Sequence, residues 1–253
     1  MRHLGVLLAC VLPLLGACGD EPARRLPNIV LVLTDDPGYG DLGCYGAEGF
    51  ETPHLDRLAS EGLLFRSFYV TSPVCSASRA SLLTGCYAER VGILGALSPW
   101  DTVGLHADEE TLAELLKARG YATCAVGKWH LGHYEGFLPM HHGFDEYLGL
   151  PYSNDMWPVD YDGKRHATGK KAYYPELPLI EGEETVELVR TLEDQDELTA
   201  RYTERAVRFI DENHDRPFFL YVAHTMGHVP HAVSPAWRGS SEQGLYGDVM
   251  QEV

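Results

Sequence analysis

An α/β fold, with a mostly parallel central sheet flanked by helices, is predicted by three observations. Apolar runs rich in β-branched or aromatic residues recur along the chain. Helical patterns alternate with them. Charged or histidine residues follow the runs directly. The runs are Ile29 to Leu33, Tyr121 to Val126 and Phe218 to Ala223. Continuous apolar character, rather than alternation, marks a strand covered on both faces. Strands alternating with helices argue for a parallel sheet with helical crossovers.

Taken in order, Ile29 to Leu33 is the first strand. His54 to Glu61 is helical, with Leu55, Leu58 and Ala59 on one face, and Leu63 to Val70 is a second strand candidate. Ser78 to Leu83 is helical and Gly85 stops it. Thr111 to Arg119 is a helix with a buried stripe of Leu112, Leu115 and Leu116; Thr111 caps it with Glu114 three places on, and Gly120 ends it. Tyr121 to Val126 is the next strand, and Cys124 within it is a core residue. Tyr152 to Thr199 is irregular, polar and aromatic, a long excursion over the substrate mouth. Leu198 to Asn213 is a helix with Tyr202, Ala206, Phe209 and Ile210 inward, and Phe218 to Ala223 is the following strand.

Composition sets the outer limits. The 253 residues are 45% hydrophobic, ample for one core, and carry a formal charge of −17. Such a charge argues against nucleic acid as a partner, since phosphates would be repelled, but a local basic site can still hold an anion. His141, His142, His166 and His214 belong to none of the motifs and read as surface or structural residues.

In an open α/β sheet, ligands bind beyond the carboxyl ends of the strands. Asp35 and Asp36 follow the first strand, Lys128 and His130 follow the second of the three runs, and His228 follows the last. Three strand ends can thus supply one crevice. Adjacent carboxylates at a buried edge repel unless a cation answers them, and a hard divalent ion does so; Asp-Asp-Pro-Gly is also good turn chemistry. Cys75 stands where a turn meets a helix start, which gathers unpaired N–H groups and suits an anion or a thiolate.

These motifs resemble the sulfatase family. Cys75, Ala77, Arg79, Thr84 and Gly85 match its signature. Asn28 to Asp41 looks like its first strand and metal-binding aspartate pair, and Thr52 to Ala59 like the next helix. Gly127-Lys128-Trp129-His130-Leu131-Gly132 is similar to its lysine–histidine motif, and Phe218 to Tyr221 with His228-Val229-Pro230 to a later strand and its histidine. Arylsulfatases and galactosamine-type sulfatases are the nearest in look. The resemblance implies an alkaline phosphatase-like domain that cleaves aryl or carbohydrate sulfate esters. It implies that Cys75 is oxidised to formylglycine, whose hydrate attacks sulfur, and that Asp35, Asp36 and the modified Cys75 hold Ca²⁺ or Mg²⁺. Arg79 and His130 are then catalytic, with His130 as base. Lys128, Ser153 and His228 bind substrate. The sequence also leaves open a phosphoester or phosphonate hydrolase of the same superfamily, or an inactive exported fragment that binds sulfated glycans.

Two departures matter. Pro37 stiffens the loop after the aspartates. Ala77 stands where the commonest signature has proline, which by resemblance favours a radical-type maturation enzyme over the oxygen-dependent formylglycine-generating enzyme. Family members normally continue past the point matching Val253, with an Asp-Asn pair and a further lysine, so the expectation is that residues 28–253 are the N-terminal portion of a truncated catalytic domain.

At the start, Arg2 and His3 precede an apolar run from Leu4 to Leu15, too short for a membrane span. Leu15-Gly16-Ala17-Cys18 resembles a bacterial lipobox. Residues 1–18 then form a lipoprotein signal ending at a lipidated Cys18, and residues 19–27 a tether. An ordinary secretory signal is the alternative. Both imply export, to the periplasm or cell surface, with any membrane contact made through the lipid anchor. Because Cys75 is reserved for catalysis, Cys44, Cys86 and Cys124 leave at least one free thiol.

Overall fold

The computed structural model describes residues 26–253; the signal and Cys18 lie outside the described residues. The sheet has six strands: β1 (Ile29–Leu33), β2 (Ala122–Gly127), β3 (Glu146–Gly149), β4 (Leu177–Glu181), β5 (Glu184–Val189) and β6 (Phe218–Ala223), in spatial order β1-β6-β2-β3-β4-β5. β1, β6, β2 and β3 run parallel, while β4 and β5 continue the sheet antiparallel. The helices are α1 (Pro53–Glu61), α2 (Cys75–Thr84), α3 (Leu112–Lys117), α4 (Leu192–Asp196), α5 (Leu198–Asn213) and α6 (Gly244–Glu252). Among the described residues no helix is long and apolar enough to cross a membrane.

β2 and β6 are buried throughout because both faces of the sheet are covered. The period of two sorts β6 cleanly. Phe219, Tyr221 and Ala223 pack with Ala80 and Leu83 of α2 and Leu116 of α3. Phe218, Leu220 and Val222 join Tyr202 and Phe209 of α5 on the other face. Cys124 lies in this second layer, and burial pushes its thiol up to about 12, which makes it an inert core residue.

Local signals set the helix ends. The Thr111 hydroxyl accepts the Glu114 N–H while Glu114 reaches back to the Thr111 N–H. Gly85 ends α2 in the left-handed conformation at φ 68°. The bounds of α5, β1 and β6 are those read from the sequence.

Four expectations change. Leu115, placed in the buried stripe of α3, is exposed, because Ala113 and Leu116 form the face turned to the sheet. β1 is an edge strand, with Val30 and Val32 exposed, so it is not covered on both faces among the described residues. Leu63 to Val70 forms no strand; Leu63 is 85% exposed, and Phe65, Phe68 and Tyr69 are exposed as well. A strand needs a neighbour to complete its ladder, and none of the described residues supplies one here. The excursion from Tyr152 to Thr199 contains the β4–β5 hairpin and α4. Only Thr185 to Leu188 of β5 alternates polar and apolar residues, and the short stretch, with Pro178 in the facing strand, masked the signal.

Candidate active site

The site forms where the predicted motifs leave the carboxyl ends of β1, β2 and β6 and meet the start of α2. The close approach of β2 to β6 fixes one wall. Gly127 has φ 99°, and a Cβ there would sit 1.9 Å from the Ala223 carbonyl oxygen. Only glycine fits, and it delivers the next residue, Lys128, whose N–H donates to that same oxygen at 2.7 Å. On the β1 side, the Asp35 N–H donates to the Met226 carbonyl.

Asp35 is the hub. The Arg79 Nη2 donates to its Oδ1 at 3.0 Å, and the Lys128 Nζ donates to its Oδ2 at 2.5 Å. Burial pushes the Asp35 carboxyl up, but Arg79 and Lys128 outweigh it and hold the group below its ordinary range. Arg79 is 1% exposed, and its Nη1 also donates to the Lys128 carbonyl at 2.7 Å. The arginine of α2 thereby ties the loop after β1 to the loop after β2. The Lys128 Nζ donates further to the Ser153 Oγ at 2.9 Å.

Asp36 differs from its neighbour. Its side chain is 66% exposed and lies 3.8 Å from the His228 Nε2. Asp35 is thus countered by the cations of Arg79 and Lys128, whereas Asp36 faces solvent beside His228. Asp36, at φ 71°, and His130, at φ 61°, are the described non-glycine residues with positive φ. Strained backbone of this kind is held by surrounding structure and clusters at functional sites.

The His130 Nε2 lies 2.7 Å from the Leu97 carbonyl, which can only accept, so Nε2 carries the proton in the neutral ring. Its Nδ1 is buried without a partner among the described residues. Burial first, then Lys128 and Arg79, hold this histidine well below its ordinary value, leaving Nδ1 as an uncharged base. The same peptide reaches the start of α2: the Leu97 N–H donates to the Ser76 Oγ at 3.0 Å, beside Cys75. Sequence reasoning missed Ser76 and Leu97. Ser76 follows Cys75 directly, whereas a backbone carbonyl leaves no trace in sequence.

Cys75 is the first residue of α2, half-buried and free. It lines a cleft of ≈ 330 Å³ together with Asp35, Asp36, Ser78 and Arg79. Two carboxylates in one cleft suit a hard cation in kind. They fall short in number: among the described residues, no group of three histidine, cysteine or acidic side chains is arranged to hold an ion.

The profile of the family described as Sulfatase matches residues 27–248. Rat (Rattus norvegicus) arylsulfatase G is 41% identical over 252 residues, 93% of this chain and 47% of the relative. Pig (Sus scrofa) N-acetylgalactosamine-6-sulfatase is 42% identical over 252 residues, 93% of this chain and 46% of the relative. The crystal structure of PsFucS1 sulfatase from Pseudoalteromonas sp. superposes with a TM-score of 0.80 at 32% identity, over 90% of this chain and 50% of that one. The chain belongs to the sulfatase family. It spans about half the length of the curated relatives it matches.

Buried histidines also set an acid limit on stability. Burial pushes His142 and His224 down to about 4, and His130 lies well below its ordinary value. Each ring is neutral when folded but binds a proton in the unfolded chain below about pH 6.5. The unfolded state then holds more protons, so stability is full above about pH 6.5 and falls as pH drops toward 4. Denaturant midpoints measured from pH 7 to 4 should fall steadily, and His224→Gln should flatten that slope. A slope unchanged by the substitution would remove His224 from this account.

Proposed function

We propose that this chain is the N-terminal, nucleophile-bearing part of a sulfuric ester hydrolase acting on aryl or carbohydrate sulfate esters. The observation that carries the reading is the joining of Asp35, Arg79, Lys128 and Ser153 beside the cleft that Cys75 lines. Membership of the sulfatase family supports it, and the sulfatase names of its relatives favour sulfate over phosphoester or phosphonate substrates.

When formed, formylglycine at Cys75 supplies a hydrated-aldehyde nucleophile, and a divalent Ca²⁺ or Mg²⁺ held by Asp35, Asp36 and the modified side chain supplies positive charge. The chain's own residues do the rest. The Arg79 guanidinium fixes the Asp35 carboxylate and the loop that presents Lys128. The Lys128 ammonium binds a sulfate oxygen from between Asp35 and Ser153. The His130 Nδ1 accepts a proton, because its other nitrogen is committed to the Leu97 carbonyl. The His228 Nδ1 lies 2.6 Å from the Val229 carbonyl, which leaves Nε2 to donate to the departing oxygen when protonated.

The test is turnover of a chromogenic aryl sulfate against its matched phosphate ester, after co-expression with a radical-type or oxygen-dependent maturation enzyme and mass spectrometry of the Cys75 peptide. Preference for the phosphate ester would overturn the substrate class.

The sequence signal at residues 1–18 further suggests export and lipid anchoring at Cys18, to the periplasm or cell surface. Cys18→Ser should move the protein from the membrane fraction to the soluble one. An intact mass without lipid would defeat the anchor.

A further inference from the structure

We propose that an aromatic and basic surface beside the catalytic cleft, built by Trp100, Tyr174, Lys170 and Lys171, binds the sugar next to the one bearing the scissile sulfate, through that sugar's ring face and a second anionic group. The proposal rests on the sulfatase reading above and specifies the substrate as a sulfated oligosaccharide rather than a small aryl ester.

The first observation is the platform itself. Trp100 stacks on Tyr174 with ring centroids 5.9 Å apart and planes 22° from parallel, yet remains 50% exposed. A half-exposed indole held flat by a second ring is a rigid apolar face with little rotamer freedom left to lose. The C–H face of a pyranose fits such a surface.

The second observation is charge. The chain carries −17, but residues 155–176 are balanced, with Lys164, Arg165, Lys170 and Lys171 against Asp155, Asp160, Asp162 and Glu176. Lys164 pairs with Asp162 and Arg165 with Glu176. Among the described residues, Lys170 and Lys171 have no carboxylate partner. Their ammonium groups lie instead 5.8 Å from the centre of the Tyr174 ring and 4.7 Å from that of Tyr161. They are positioned by aromatic rings and left free to take an anion.

The third observation is tethering. Trp100 is three residues from Leu97, whose carbonyl takes the His130 Nε2 and whose N–H is held by Ser76. Three residues of chain span at most about 11 Å. On the other wall, the Tyr152 hydroxyl donates to the Glu176 carbonyl at 3.2 Å, two residues after Tyr174, and Ser153 next in sequence receives the Lys128 Nζ. Each half of the platform is therefore anchored by a few residues to a group of the catalytic site.

The experiment uses the full chain carrying Cys75→Ala, so that nothing turns over, titrated calorimetrically with a chondroitin 6-sulfate tetrasaccharide and with N-acetylgalactosamine 6-sulfate. The tetrasaccharide should bind more tightly. Trp100→Ala should weaken it roughly tenfold, while the monosaccharide changes less than about twofold. Trp100→Phe should keep most of the affinity, which separates lost stacking from lost folding. Lys170→Gln with Lys171→Gln should weaken the tetrasaccharide and reduce its salt dependence. Equal binding of the two ligands, an unchanged tetrasaccharide affinity in Trp100→Ala, or a parallel loss for both ligands would overturn the proposal. Failure of the sulfatase reading shows separately, as a Cys75 that stays unmodified by peptide mass spectrometry when the parent chain is co-expressed with either maturation enzyme.

Discussion

Cys75→Ala is expected to lower aryl sulfate turnover by at least about 10³-fold in a matured version extended to its relatives' length, while leaving the fold intact. The residue begins α2, lines the cleft with Asp35, Asp36 and Arg79, and is the one cysteine there among the described residues. Removing the group that becomes the nucleophile removes the covalent route, and what survives is the modest catalysis that positioning and charge give alone. The structural cost should be small. Cys75 is half-buried at a first-turn position, makes no side-chain hydrogen bond or disulfide among the described residues, and alanine is the best helix former. A denaturation midpoint within about 1 kcal/mol of the parent is the control. Residual turnover above about 1% with the fold intact would show that Cys75 does not carry the nucleophile.

The contrast between this site and its surroundings shows which parts of the molecule were legible in its sequence. The apolar runs before Asp35, Lys128 and His228 are strands, and the chemistry sits at their carboxyl ends, because a strand buried against helices cannot carry polar groups until it leaves the sheet. The capping pair Thr111 and Glu114 and the stop at Gly85 were readable for the same local reason. Pairing is not local. Nothing in Ile29 to Leu33 says that β1 borders β6 alone, and nothing in Leu63 to Val70 says that its apolar residues find no neighbouring ladder among the described residues. The division of labour within Asp35-Asp36 was equally hidden. It depends on where Arg79 and Lys128 arrive from two other elements, and a one-residue step turns one carboxylate inward and the other to solvent.

That convergence on Asp35 makes Arg79→Ala the substitution expected to destabilise the fold most. The guanidinium is fully buried and makes two well-formed bonds, to the Asp35 Oδ1 and the Lys128 carbonyl, with the Tyr221 hydroxyl 3.5 Å from Nη1. Removing it leaves a buried carboxylate with one of its two cations and a carbonyl without its donor. Breaking a buried pair from one side costs about 3–5 kcal/mol. The pH dependence carries a sign that tests the cause. Asp35 titrates below its ordinary value in the fold, so its contribution is present above the unfolded pKa of about 3.9 and is lost as pH falls through the lower folded value. The deficit of Arg79→Ala should therefore be largest near neutrality and shrink in acid, where the Asp35 carboxyl, pushed up by burial once Arg79 is gone, takes up its proton before the parent's does. Urea denaturation at pH 7 and at pH 3.5 reads both limbs. Arg79→Lys should recover only part of the loss, because a single ammonium cannot reach Asp35 and the Lys128 carbonyl in the forked geometry of the guanidinium. A deficit under about 1 kcal/mol at pH 7, or one that does not change between the two pH values, would mean that Asp35 depends on Lys128 alone and that Arg79 does not join the two loops.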